Sequence, residues 1–302
     1  MELLVAMAIT TIIVTILVGI TSVSIDAWQR SRSEVRASRQ AKAMVDSMAR
    51  DFEAMVSRRG NSFEWLVAQS STVMPGPSGN KGIASTSAVD LVWFTAATDR
   101  YKGQINTSSD LGGDVSCVGY QLAYRDPITT ATSSNDYQTF VLNRLLVDPN
   151  DTFTNLLGKT DLKSAFATYS TQIPNLENYV CENIFQFTVT FHVEVTRTVG
   201  TATTKTIIPV VIGTAGGSKT NSVRLAGTGL NVGTAVNGAT LAELNAGRLV
   251  AAEISLTVVT DSALSQLRTR SFTSNATDAN SKQKFLAKNS YQYSKRVEIP
   301  SP

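Results

Sequence analysis

The chain opens with an uninterrupted apolar run. Residues 3–25 contain no charged side chain, and Glu2 stands immediately before them. A helix rises about 1.5 Å per residue, so about 20 residues are enough to cross a hydrocarbon core of about 30 Å. Residues 1–25 are therefore predicted to form a helix half that lies in a membrane or in a helix bundle. Its apolar contacts are expected from Leu3, Leu4, Val5, Met7, Ile9, Ile12, Ile13, Val14, Ile16, Leu17 and Val18.

The helical pattern continues beyond the apolar run but becomes amphipathic. No Gly or Pro occurs in residues 26–59, and apolar residues recur there at spacings of three and four, which is typical of a helix with one buried face. Gly60 and Asn61 then supply a stop signal. The pattern predicts an amphipathic helix half over 26–59, continuous with the first half. Its packing face against a globular domain is expected to be Ala37, Ala41, Met44, Met48, Phe52 and Met55.

Alternating apolar and polar residues predict a β-rich globular domain over residues 60–302. Clear alternation marks strands at 118–124, 137–147, 185–195 and 254–258, and weaker signals lie at 87–95 and 204–212. Pro209 in the last segment allows an edge strand at best. No regular helices separate these segments, so a mainly antiparallel sheet is expected. The predicted fold class is α+β, with the long helix packed on that sheet and long loops at about 70–81, 214–239 and 271–282.

The first residues resemble a known family. Residues 2–9, ELLVAMAI, are similar to the start of type IV pilins and type II secretion pseudopilins. In that family a basic leader ends in Gly, a prepilin peptidase cuts there, and a glutamate a few residues later precedes an apolar helix that packs into a filament core. The resemblance implies that Glu2 is the assembly residue, which pairs with the N-terminal amine of a neighbouring subunit. Met1 stands directly before Glu2, so the peptidase is an expected partner if an upstream leader exists.

The order of the strand-like segments narrows the resemblance. It is similar to that of the larger minor subunits, the J type of type II secretion and the W-type minor pilins, and to the prepilin-like group called Verru_Chthon cassette protein C. Residues 48–53, MARDFE, and 63–65, FEW, contribute to the last of these. The resemblance implies a bacterial inner-membrane protein with a single span, whose globular domain lies in the periplasm or on an extracellular filament. Other pilin or pseudopilin subunits and inner-membrane lipid are the implied partners.

The charge distribution excludes one class of partner and raises a question of orientation. The net charge is +3, and residues 26–59 already carry eight basic and five acidic side chains, so the rest of the chain is close to neutral. A nucleic-acid surface is therefore not predicted. The basic residues directly after the apolar run would by themselves place that end in the cytoplasm. The family arrangement places it outside, and this is the orientation that we expect.

Candidate chemistry is sparse. His192 is the only histidine, and it falls on the polar face of a strand, where an exposed side chain is expected. A single histidine removes most Ser-His-Asp and Cys-His arrangements, and no Cys and His set suited to a metal occurs. Asp110, Asp114, Asp148 and Asp151 lie in turn-like stretches, which explains them without the alternative of a calcium site. We therefore expect no enzyme activity, no cofactor and no metal.

Cys117 and Cys181 are the only cysteines. They could form a disulfide in an oxidising periplasm, or remain as buried free thiols. The function is also open between two classes. One is a minor pilin or pseudopilin subunit that assembles through its helix. The other is a single-span, membrane-anchored binding protein whose β domain does not polymerise.

Overall fold

A computed structural model describes residues 2–71, 85, 87–96, 113–129, 138–199, 202–213, 222–269 and 276–300 of the chain. The helices in this part are α1 (Glu2–Glu53), α2 (Pro149–Asp151), α3 (Leu162–Phe166), α4 (Leu241–Asn245), α5 (Asp261–Thr269) and α6 (Ala276–Asn289). The strands are β1 (Glu64–Ser70), β2 (Val89–Thr95), β3 (Ser116–Arg125), β4 (Thr139–Val147), β5 (Tyr179–Glu182), β6 (Ile184–Val199), β7 (Ala202–Ile212), β8 (Ser222–Ala226), β9 (Gly229–Val232), β10 (Arg248–Val259) and β11 (Ser290–Glu298).

The strands form two antiparallel sheets. The larger sheet has seven strands in the order β5-β4-β3-β2-β1-β8-β9, and the smaller has four in the order β11-β10-β6-β7. In the smaller sheet β10 pairs with β11 on one side and with β6 on the other. Alternate residues of β6 and β10 are buried, as the alternation in sequence predicted. The α+β fold class is confirmed, with two sheets where one was expected.

The main hydrophobic core lies where α1 meets both sheets. The ring of Phe52, near the end of α1, stacks on Trp93 with centroids 4.3 Å apart. The same ring meets Phe191 edge-on, with centroids 6.5 Å apart. Trp93 belongs to β2 in the larger sheet and Phe191 to β6 in the smaller, so Phe52 joins the helix to the two sheets at once. Aromatic pairs of this kind contribute about 0.5–1.5 kcal/mol beyond the area that they bury.

The opposite face of the larger sheet is covered by the chain between β4 and β5, residues 149–178, which we call the insertion. Leu156, Leu162 and Phe166 of the insertion are buried against outward-facing side chains of β1 to β4. Asp161 begins α3 by accepting a hydrogen bond from the Ser164 amide at 3.1 Å. Because both faces of the sheet are covered, β4 is buried along almost its whole length rather than on alternate residues.

The long helix ends earlier than predicted. It stops at Glu53 rather than at Arg59, because the following residues join β2. Met55 forms a β-bridge with Thr95, and the Val56 amide donates to the Phe94 carbonyl at 2.9 Å. The stop signal at Gly60 therefore marks the end of a short connection and not the end of the helix.

Two of the predicted loops contain regular structure. β8 and β9 form a hairpin within 214–239, and α6 begins within 271–282. The strands of this hairpin have five and four residues, too few to show a clear alternation among Gly, Ser and Thr. Of the third loop, 70–81, residues 72–81 lie outside the described residues. The segment with Pro209 is β7, which is an edge strand as predicted.

We expect Gly119→Ala to destabilise the domain, because an added Cβ would lie 2.2 Å from Cζ of Phe166. Phe166 is buried and cannot move aside freely. Overpacking of this kind costs about 1–3 kcal/mol. The measurement is urea unfolding of the detergent-solubilised chain. Gly19→Ala, whose Cβ would meet nothing within 4 Å, is the control. An unfolding midpoint for Gly119→Ala equal to that of the control would contradict this packing.

Candidate functional site

The first part of α1 stands apart from the globular domain. Its apolar side chains from Met7 to Val18 are between 51 and 64 % exposed, and this set is Met7, Ile9, Ile12, Ile13, Val14, Ile16, Leu17 and Val18. The backbone of Glu2, Leu3, Leu4 and Val5 is helical, but their side chains lie outside the described part of the structure. Within α1, the stretch from Ala6 onward is long and apolar enough to cross a membrane, by length and composition.

The hydroxyl groups of this projecting segment are hydrogen-bonded within the helix. Each hydroxyl donates to the carbonyl four residues earlier, at 2.8 Å, in Thr10, Thr11, Thr15, Thr21 and Ser24. A hydroxyl buried in apolar surroundings without a partner is costly, by about 1–3 kcal/mol on the evidence of protein variants. The segment is therefore suited to apolar surroundings in spite of its threonines.

The globular domain begins where the apolar run ends. A groove between α1 and the α5–α6 pair is lined by Asp26 and Gln29 on α1 and by Lys284 and Lys288 on α6. Trp28, beside this groove, is 62 % exposed, and the Arg32 guanidinium lies 5.5 Å from the centroid of its ring. An exposed Trp next to basic side chains is typical of the level of lipid head groups.

The second part of α1 is packed on the domain. The face Ala37, Ala41, Met44, Met48, Phe52 and Met55 is at most 6 % exposed and belongs to the main core. Met55 reaches this core from the connection after the helix rather than from α1 itself. At the edge of this contact, the Arg36 guanidinium lies 2.5 Å from the Glu182 carboxylate. Arg36 is more than half exposed, so this pair adds little to stability.

A buried ion pair fixes the end of α1 to the larger sheet. The Asp51 carboxylate accepts from Nε of Arg144 at 2.7 Å and from its second guanidinium nitrogen at 2.9 Å. It also accepts a hydrogen bond from the hydroxyl of Tyr120. All three side chains are buried, with Asp51 on α1, Tyr120 on β3 and Arg144 on β4. We call Asp51, Tyr120 and Arg144 the helix anchor.

The backbone of Asp51 extends the same anchor to β2. Its carbonyl accepts from Nε1 of Trp93 and from Oγ1 of Thr95, both at 3.1 Å. The last carbonyls of a helix have no partner within the helix. Here β2 supplies those partners through two side chains, so the end of α1 is bonded to β2, β3 and β4.

The protonation states of the anchor are stable. Burial raises the pKa of Tyr120 well above its ordinary value, and the charge of Asp51 raises it further. Tyr120 therefore stays protonated and donates to Asp51. Burial alone would lower the pKa of Arg144, but the hydrogen bonds and the charge of Asp51 outweigh it, and this pKa lies above its ordinary value. Arg144 thus keeps its charge inside the core.

The sequence analysis did not single out the helix anchor, although a signal was present. Arg144 is a charged residue inside an otherwise apolar strand, and such a residue is almost never buried without a partner. Asp51 lies three residues after Met48, on the apolar stripe of α1. An acidic residue on a buried helix face and a basic residue in a buried strand are complementary, but their contact depends on the strand order.

Both cysteines are free and buried. Cys117 lies on β3 in the cluster beneath the insertion, whereas Cys181 lies on β5 in the main core. β4 separates the two strands, and the two side chains face opposite sides of the sheet. Of the two alternatives, a disulfide and two free thiols, the structure therefore contains the second. Burial raises the pKa of Cys117 above its ordinary value, and burial with the charge of Glu182 raises that of Cys181 to about 12.

The described residues offer little catalytic chemistry. Among them, no group of three or more His, Cys, Asp or Glu side chains is placed to hold a metal ion. The side chain of His192 is only 14 % exposed rather than exposed, and its Nε2 lies 3.7 Å from the Glu253 carboxylate, too far for a hydrogen bond. Asp148 caps the next turn by accepting from the Asp151 amide at 2.8 Å. Asp110 lies outside the described residues.

Comparison with known proteins gives one structural likeness. No family model matches the sequence, and no curated protein matches it. A type IV-like pilin from Thermus thermophilus is similar in structure, with 11 % identity over 88 % of this chain and 97 % of that one, and a TM-score of 0.33. At this identity and TM-score the likeness supports no functional argument by itself.

We expect Asp51→Ala to cost about 3–5 kcal/mol, because it leaves the Arg144 charge buried without its partner. The double variant Asp51→Leu with Arg144→Met removes both charges and should recover much of that loss. The measurement is urea unfolding followed by tryptophan fluorescence. Asp46→Ala, on the same helix, breaks only a surface pair with Lys295 and should change the midpoint little. Equal effects of Asp51→Ala and Asp46→Ala would show that the anchor does not hold the helix.

We expect both thiols of the folded chain to react with iodoacetamide at least about tenfold more slowly than those of the chain unfolded in urea, because only the thiolate is nucleophilic. Mass spectrometry after alkylation, with and without prior reduction, measures both the rate and the redox state. A mass that changes on reduction would reveal a disulfide and contradict the separation of Cys117 and Cys181.

Proposed function

We propose that this chain is a non-enzymatic, pilin-like subunit that inserts into the bacterial inner membrane and joins a filament through its N-terminal helix. In this proposal the filament is of the type IV pilus or type II secretion kind, and the chain is one of its larger minor subunits. The globular domain lies in the periplasm or on the extracellular filament. Other pilin or pseudopilin subunits and membrane lipid are its partners, with a prepilin peptidase if a leader precedes Glu2.

The observation that carries the proposal is the division of α1 into a free half and a fixed half. Residues 2–25, about 36 Å of helix, have no packing partner within the described part of the domain. This length matches a hydrocarbon core of about 30 Å. The remainder of α1 is held by the main core and the helix anchor. The domain thus presents a rigid apolar helix that needs either lipid or other helices around it.

Glu2 favours assembly over simple anchoring. A solitary membrane anchor gains nothing from a carboxylate at the head of its apolar run, since a charge without a partner in a membrane is expensive. In a bundle of such helices, the carboxylate can pair with a cationic group of a neighbour. The sparse catalytic chemistry of the described residues agrees with a structural role.

The alternative is a single-span, membrane-anchored protein whose β domain binds a ligand without polymerising. The cavity on the outer face of the larger sheet, described below, is the observation that favours it. The two functions differ in their need for Glu2, since only filament entry requires it.

We expect Glu2→Ala to reduce the amount of the subunit in filaments sheared from its native cells by at least about tenfold, because the charge pairing that admits the helix is lost. The amount in the membrane fraction and the protease resistance of the β domain should not change. Glu34→Ala, an exposed glutamate on the same helix, is the matched control. Recruitment of Glu2→Ala at the level of Glu34→Ala would contradict filament entry through Glu2 and favour the anchored binding protein.

A further inference from the structure

The outer face of the larger sheet and the insertion enclose a cavity of about 400 Å³. Its floor is formed by β8, β1, β2 and β3, and its roof by α3 and the residues that follow it. Ligand sites in proteins are typically about 300–1,000 Å³. The cavity has no part in the helix anchor, which faces the other side of the same sheet, or in the projecting helix.

The register of the strands divides this cavity into an apolar end and a polar end. Val67 of β1 and Val92 of β2 are paired across the sheet, and both face the cavity beneath Phe166 and Ile173. The next outward-facing pair along the same two strands is Gln69 with Asp90. A ligand that fills the cavity therefore meets aliphatic and aromatic carbon on one side and hydrogen-bonding groups on the other.

Asp90 is the group that defines the polar end. One carboxylate oxygen, Oδ2, accepts from Nζ of Lys163 at 3.3 Å. The other, Oδ1, is buried and accepts no hydrogen bond from the described residues. A buried acceptor without a donor loses free energy relative to one that is paired. Asp90 is thus prepared to accept one more hydrogen bond from inside the cavity.

The cations around the cavity are already engaged. Lys163 is bonded to Asp90, and the Arg224 guanidinium lies 2.9 Å from the Glu64 carboxylate and 3.4 Å from that of Asp161. An anionic ligand would meet Asp90 and Asp161 without a free positive partner among the described lining residues. The polar end therefore selects for a donor and against a carboxylate.

We propose that this cavity is a binding site for a small organic ligand with an apolar body and a nitrogen donor, an amine or an amide N–H, which hydrogen-bonds to Oδ1 of Asp90. The apolar body lies between Val67, Val92, Phe166 and Ile173. This site is independent of filament assembly, because it shares no side chain with α1.

The test is binding of 4-fluorophenethylamine to the full chain in lipid nanodiscs, followed by fluorine NMR and corrected with empty nanodiscs. We expect saturable binding, and at least tenfold weaker binding of 4-fluorophenylacetate, which has a carboxylate in place of the amine. Two variants probe the two ends of the cavity. Asp90→Asn removes the acceptor charge, and Ala167→Phe fills the cavity from an exposed position on its rim, where a larger side chain does not disturb the core.

Each variant has a matched control outside the cavity. Asp114→Asn and Ala242→Phe change exposed residues of the same types and should bind as the unchanged chain does. Loss of binding by at least tenfold in both cavity variants, with both controls unaffected, supports the site. The absence of saturable binding, equal binding of amine and acid, or binding that survives Ala167→Phe would overturn it. Filament entry can be measured on the same variants and should be normal, which separates this site from the assembly function.

Discussion

The architecture depends on one buried ion pair at the point where the helix leaves the core. Asp51 brings a negative charge into the interior on α1, and Arg144 brings a positive charge on β4. Neither charge would be tolerated there alone, so each fixes the position of the other. Tyr120 and the side chains that bond the Asp51 carbonyl complete the arrangement. The pair therefore specifies which turn of a long and otherwise regular helix lies against the sheet, a task that apolar contacts alone would leave open to sliding.

This constraint allows the two halves of α1 to serve different surroundings. The half that is fixed has a narrow apolar stripe, with polar residues on its other faces, and it buries that stripe against two sheets. The free half is apolar all round, and its hydroxyls are bonded to its own backbone. Because the helix is continuous across the junction, the orientation of the free half is set by the domain. The insertion has a parallel role on the far side of the larger sheet, where it covers strands that would otherwise expose apolar side chains.

The sequence predicted those features that depend on local pattern. The apolar run, the stripe from Ala37 to Phe52 and the alternation in β6 and β10 all follow from spacing along the chain, and the α+β class follows from them. Features that depend on the order of strands could not be read in this way. Arg144 and Asp51 are 93 residues apart, and nothing in either segment names the other as partner. The cavity requires β8 to lie beside β1, and β8 is a short strand within a stretch whose composition resembles a loop.

The bonding of one helix end to three strands also has a mechanical consequence. A force along α1 would reach the domain at Asp51 and divide there, into β2 through the backbone carbonyl and into β3 and β4 through the carboxylate. These strands are neighbours in the middle of a seven-stranded sheet, each with a paired strand on both sides. The load is thus shared by central strands rather than placed on an edge, so the domain can bear tension applied through its helix without peeling from one side.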